Sequence, residues 1–185
     1  MHAHKGINTN QSGVAMAESK TINLKTFKKK VNLYKRTFKL FLSKLEKNPP
    51  KGLHKLIDTI DAAVWNETDC LTCGNCCKTM TPTYTTADIK RIADHFKMTP
   101  DEFKAKWLVY DKKDEDWQNK KQPCQFLNLE DNKCSIYPIR PADCAGFPHL
   151  TKKKTVDYVH VHKQNIEYCP ATFKMVEKLK AAITE

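Results

Sequence analysis

Four of the chain's eight cysteines stand in the run Cys70-Leu71-Thr72-Cys73-Gly74-Asn75-Cys76-Cys77, and no other feature restricts the possible folds as strongly. Thiolates at such spacing let one tight loop present several sulfurs to a single metal ion, as zinc and iron–sulfur sites require. The other four, Cys124, Cys134, Cys144 and Cys169, are spread over the C-terminal third, where distant segments can close the site or sites and staple the fold. All eight are therefore candidate metal ligands.

An even count of cysteines also suits the disulfide framework of a small secreted domain. Against that, Met1-His2-Ala3-His4-Lys5 leads into polar sequence, with no apolar stretch of a secretory signal in the first thirty residues. The expectation is a cytoplasmic chain with reduced thiols. No run approaches the roughly 18 consecutive apolar residues that read as a membrane-spanning helix.

The formal charge of +11 suggests a polyanion partner until it is divided. Residues 1–60 hold 13 Lys/Arg and 3 Asp/Glu, a balance of +10, whereas residues 61–185 hold 19 and 18, a balance of +1. The basicity belongs to the N-terminal third, and the cysteine-bearing part is no obvious binder of polyanions.

Residues 1–20 are polar and aperiodic, which predicts a flexible tail. Residues 21–66 predict a basic amphipathic helical hairpin. Over residues 23–47, Leu24, Phe27, Val31, Tyr34, Phe38, Phe41, Leu42 and Leu45 recur at helical steps, with lysines between them, and Pro49-Pro50 ends the pattern. Leu53, Leu56, Ile57, Ile60 and Val64 make a second stripe over residues 52–64. Residues 67–185 form the predicted metal-binding domain. Within it a helix opens at Thr85-Thr86, with a threonine as cap and Asp88 in the first turn. Thr99-Pro100-Asp101-Glu102 is a capping box with proline at the first helical position. Residues 110–122 predict a charged spacer loop, and residues 155–162, following Lys152-Lys153-Lys154, predict a short strand or hairpin arm. Residues 171–183 predict a closing helix. The fold class is mainly α with a small β element, built as a metal-stapled cysteine-cluster domain.

The cysteine order and its context carry a resemblance. Cys70-x-x-Cys73-x-x-Cys76-Cys77 is followed by Pro123-Cys124-Gln125-Phe126 and by Cys134-x-Ile136-Tyr137-x-x-Arg140-Pro141-x-x-Cys144. This pattern resembles the CxxCxxCC cysteine-cluster family, a zinc- or iron-chelating domain found also within flagellin lysine methylases. The resemblance spans residues 70–169 and implies bound zinc or iron. One position departs from it: a basic residue often follows the cysteine equivalent to Cys144, where this chain has Ala145. No anion-binding role is assigned there.

Tetrahedral sulfur coordination suits zinc and iron–sulfur clusters alike, so spacing leaves the cofactor open between them. Eight thiolates divide into two four-sulfur sites or one cluster with spare ligands. Adjacent Cys76 and Cys77 are expected to point different ways, one of them bridging or serving a neighbouring centre. Gly74 is expected to turn the loop so that N–H groups face sulfur. Arg140 has two readings, a donor to thiolates or a partner of Asp143. His149, His160 and His162 read as ordinary histidines. No P-loop, dinucleotide fingerprint, serine elbow or zinc-protease motif is present.

Three functions follow from these features. The first is an intracellular metal-binding protein with a structural or metal-handling role. The second is an iron–sulfur redox enzyme or component resembling the cysteine-rich part of flagellin lysine methylases. The third is a metal-stapled adaptor that meets RNA, the ribosome, a membrane surface or an acidic partner through residues 21–50.

Overall fold

The structure, a computed structural model, describes residues 22–151 and 155–184. The tail expected at 1–20, with His2 and His4, and the basic turn at 152–154 lie outside the described residues. Helices α1 (Leu24–Lys47) and α2 (Leu53–Asn66) come first. Two very short helices, α3 (Cys70–Cys73) and α4 (Asn75–Thr79), carry the cysteine run. Then follow β1 (Thr83–Tyr84), α5 (Thr86–His95), α6 (Pro100–Trp107), β2 (Leu108–Asp111) and β3 (Asp116–Asn119). After a loop and a 3-10 turn at Tyr137–Ile139 come α7 (Ala142–Gly146), a second 3-10 turn at Thr155–Tyr158, α8 (Val159–Asn165) and α9 (Pro170–Thr184).

Side chains divide these elements between two hydrophobic cores. The first gathers α1, α2, α8 and α9. Asn23 caps α1 by accepting the Thr26 N–H at 3.0 Å, and Phe27, Val31, Phe38, Leu42 and Leu45 form its buried stripe. Phe173 on α9 meets Phe27 edge-on at 5.8 Å and Phe38 at 4.9 Å between ring centroids. Helix α2 packs on the same α9 through Leu53, Ile57, Ile60 and Val64. Part of the basic face of α1 is used within the chain: Lys30 pairs with Glu177 at 3.2 Å, and Lys35 and Lys39 both reach Glu167.

The second core lies under a small antiparallel sheet of order β1-β3-β2, in which Tyr84 faces Trp117 and Leu108 faces Asn119. Ile89, Ile92, Ala93, Phe103, Leu108, Phe126 and Ile136 fill it, and the rings of Phe103 and Phe126 stack at 6.4 Å. Helix α6 has the expected capping box: Thr99 N–H donates to Glu102 at 2.7 Å, and Glu102 N–H donates back to the Thr99 hydroxyl at 3.2 Å. Helix α5 has the same device, with Thr85 and Asp88.

Two expectations need correction. The spacer expected at 110–122 contains β3 and the end of β2, because Tyr110 and Trp117 pair across the hairpin while the charged residues 112–115 only turn the chain. The strand expected at 155–162 is helical instead. Its alternating β-branched residues are overridden by packing, since Val159, His162 and Ile166 lie on one helical face and are buried. Among the described residues no helix is long and apolar enough to cross a membrane.

Candidate metal centre

The cysteine run is built as two helical turns joined by one reversal. Asp69 caps α3 by accepting the Leu71 N–H at 2.9 Å, which places Cys70 and Cys73 one turn apart. Gly74 then adopts φ 57°, in the left-handed region. A side chain there would also bring its Cβ within 3.1 Å of Asn132 Cβ, so both backbone and space demand glycine. Beyond the reversal the Asn75 N–H points back at the Cys73 sulfur. Gly74 thus serves the turn and the sulfur together.

Helix α4 supplies Cys76 and Cys77, whose Sγ atoms lie 3.9 Å apart. They are closer than the expectation of diverging side chains, within reach of a weak S–H to sulfur contact in which either thiol can be the donor. Sharing a proton makes one thiolate of this pair easier to form and the second harder, and burial adds to the cost of the second.

Long-range hydrogen bonds bring in the remaining cysteines. Cys124 N–H donates to the Cys77 carbonyl at 2.8 Å, and an isolated bridge between Leu127 and Cys134 sets Cys134 beside the same loop. Cys144 rides on α7, which Asp88 and Asp143 hold in place: Asp88 accepts the Ala142 N–H at 3.1 Å, and Asp143 accepts the Thr83 N–H at 3.2 Å. Arg91 adds bonds to the carbonyls of Ile139 and Arg140. Burial alone would raise the Asp88 carboxyl, but hydrogen bonds from Thr85, Arg91 and Ala142 hold it below its ordinary value. On the other side of the run, the Asn75 side chain donates to the Tyr168 carbonyl at 2.6 Å and sets Cys169 beside α3 and α4.

A cavity of about 560 Å³ results, lined by Cys70, Cys76, Cys77, Cys124, Cys134 and Cys144. Cys73 and Cys169 are buried and do not line it. Trp65, Met80, Tyr84 and Phe126 supply apolar walls. All eight cysteines are free thiols, so the disulfide reading has no support in the structure. Among the described residues no three Cys, His or carboxylate side chains converge closely enough to hold a metal ion. Six of the eight thiols line the cavity.

Does the donor set fit zinc or iron? Burial pushes the Cys70 thiol up to about 12, with the charges of Cys169 and Cys73 adding to it. Burial likewise raises Cys144, reinforced by Cys77 and Asp143. Desolvated thiols that oppose one another's ionisation are unfavourable as thiolates until a cation compensates them. Four of them nevertheless accept backbone N–H groups from two residues ahead: Cys73 from Asn75, Cys124 from Phe126, Cys134 from Ile136 and Cys169 from Ala171. Such donors favour sulfur as an anion and are the usual outer shell of a metal-bound thiolate. The donor set fits zinc or iron.

A family model described as CxxCxxCC, a putative zinc- or iron-chelating domain, matches residues 69–170, more than half of the chain. The protein belongs to the CxxCxxCC family. No solved structure matches the chain. The CxxCxxCC domain begins at the cap of α3 and ends at the first residue of α9, so α1, α2 and nearly all of α9 lie outside it.

Other residues of interest take structural places. Arg140 donates to the Tyr137 carbonyl at 2.7 Å and stacks over the Tyr137 ring at 4.0 Å. Its charge eases ionisation of Cys134, which burial opposes. Asp143 pairs with His149 at 3.5 Å rather than with Arg140. His160 is exposed and His162 buried, so the two do not share a face. The roles of Asp88 and Asn75 were not readable in advance, because their partners lie 54 and 93 residues away.

Proposed function

We propose that this protein binds zinc or iron through cysteine thiolates, with the metal organising the CxxCxxCC domain for a structural or metal-handling role. The observation that carries this reading is the set of eight free cysteines, six lining one cavity, with four of the eight already accepting N–H groups on sulfur. Tetrathiolate zinc is closed and structural, without the open position a catalytic zinc keeps for water.

The size of the cavity favours a second reading. About 560 Å³ with apolar walls exceeds what single ions need and would admit an iron–sulfur cluster beside an organic ligand. Under that reading the protein is a redox enzyme or component. The basic outer face of α1, where Leu33 and Leu40 are exposed, supports the adaptor reading only through its charge and exposure.

Elemental analysis with an absorption spectrum of anaerobically purified protein separates these readings. Stoichiometric zinc in a colourless protein is expected from the structural reading. Iron with visible sulfur-to-iron absorption would replace it with the redox reading, and a metal-free protein that binds neither zinc nor iron on reconstitution would sink both.

A further inference from the structure

We infer that the outer face of α1 is a docking surface for an anionic phospholipid bilayer, met by a stripe of cations with two leucines set among them. This rests on the adaptor reading above and deepens it by naming the partner.

At 3.6 residues per turn, Lys25, Lys29, Arg36, Lys44 and Lys47 share one sector of about 100° with Leu33 and Leu40. That sector lies opposite the buried stripe of Phe27, Val31, Phe38, Leu42 and Leu45. All five cations are exposed, and among the described residues none pairs with a carboxylate. Other lysines of the helical core are placed differently. Lys30, Lys35 and Lys39 turn to Glu177 and Glu167, and Lys174 and Lys178 reach Glu67. Glu46, the single acid of α1, is taken by Lys163 at 2.8 Å. Leu33 is 72% exposed and Leu40 57%.

The partner follows from the shape and chemistry of this face. Its free charge has one sign over about 33 Å of helix, which suits an extended anionic surface. Leu33 and Leu40 stand two turns apart among the cations. Leucines in that position reach past the phosphates into the acyl boundary while Lys and Arg stay with the headgroups. The face is also a convex ridge. A protein helix docks in a groove through anchors at successive turns, and two leucines on a ridge provide neither. Nucleic acid would leave the leucines against phosphate and finds no ring to stack on, since Tyr34 lies to the side, stacked on Phe38 at 5.9 Å.

The test is co-sedimentation of the full chain, purified without oxygen, with vesicles of equal parts phosphatidylcholine and phosphatidylglycerol at low salt. Binding is expected there and not on phosphatidylcholine alone. Lys29→Gln, Arg36→Gln and Lys44→Gln together should weaken it roughly 100-fold, at about fivefold per cation. Leu33→Ser with Leu40→Ser should weaken it about tenfold. Lys174→Gln with Lys178→Gln, which lowers net charge away from the stripe, should leave it nearly unchanged. Equal binding to both vesicle types, an equal loss in the α9 variant, or full binding by the leucine variant would each overturn the proposal. Metal content and circular dichroism of each variant should match wild type, so that lost binding reports the face and not the fold. Wild type alone gives a further measurement: its binding should fall steeply as salt rises, and salt-insensitive binding overturns the proposal too. Labelled single-stranded RNA is the rival probe. If it binds wild type in place of vesicles, the lipid assignment falls while the adaptor reading stands; if wild type holds neither, the adaptor reading itself fails.

Discussion

The helical core and the cysteine-bearing region reach order by different routes. In the first, α1, α2 and α9 are 24, 14 and 15 residues long, and each buries a continuous apolar stripe. In the second, α3, α4 and α7 have four or five residues and the strands two to four. Helices shorter than about 12 residues are marginal on their own, and two-residue strands are weaker still. The long elements hold themselves by packing, whereas the short ones need cross-links between segments far apart in the chain. Hydrogen bonds from Asp88, Asn75 and Cys124 supply some of these, and thiolate-bound metal would supply the rest.

The largest expected effect separates the two regions directly. Removing metal with a chelator under reducing conditions should cost about 10 kcal/mol or more of coupled folding energy. The loss should fall on α3, α4, α7 and the sheet, where amide exchange becomes fast, while α1, α2 and α9 keep their protection. Equal loss of protection in α1 and α9 would abolish the contrast. Phe173→Ala attacks the other side. It should cost roughly 3–5 kcal/mol by emptying the space between Phe27 and Phe38, and metal content measured on the folded variant should be unchanged.

His162 gives a pH signature to the helical core. Burial, with the charges of His149 and His160, lowers it from 6.5 to about 4, and neither ring nitrogen has a hydrogen-bond partner among the described residues. Between those values the unfolded chain binds the proton more readily, so stability is full above pH 6.5 and falls as pH drops toward 4. From pH 7.5 to 4.5 the loss should be about 2–3 kcal/mol. Urea unfolding of wild type and H162L at both pH values isolates it from proton competition for thiolates, and equal slopes in the two proteins would refute it. The smallest effect belongs to the sheet side. Thr99→Ala should cost about 1 kcal/mol by uncapping α6, read as a shift in urea midpoint with metal content unchanged.

What could be read in advance follows the same division. The helices α1, α2 and α9 and the Thr99 capping box are local patterns, so spacing and end residues were enough to find them. The CxxCxxCC run and its sequence context are local too, and the family match agrees with that pattern. The β2–β3 hairpin was hidden by Lys112-Lys113-Asp114-Glu115, whose charges dominate four-residue strands. Helix α8 was hidden because Val156, Val159 and Val161 favour a strand locally, while burial of Val159 and Ile166 in the helical core decides otherwise. Which cysteine meets which depends on Asn75 with Tyr168 and on Cys124 with Cys77, contacts that no short window contains.

The seating of α1 on α9 has a consequence for the order of synthesis. Residue 170 is made 123 residues after residue 47 (170 − 47), and ribosomes add roughly 5–20 residues per second. For about 6–25 seconds, at that rate, the stripe of Phe27, Phe38 and Leu42 has been translated while Phe173, the ring that will cover it, has not. A nascent chain of this protein should therefore engage holding chaperones through its first helix and release them only when α9 emerges.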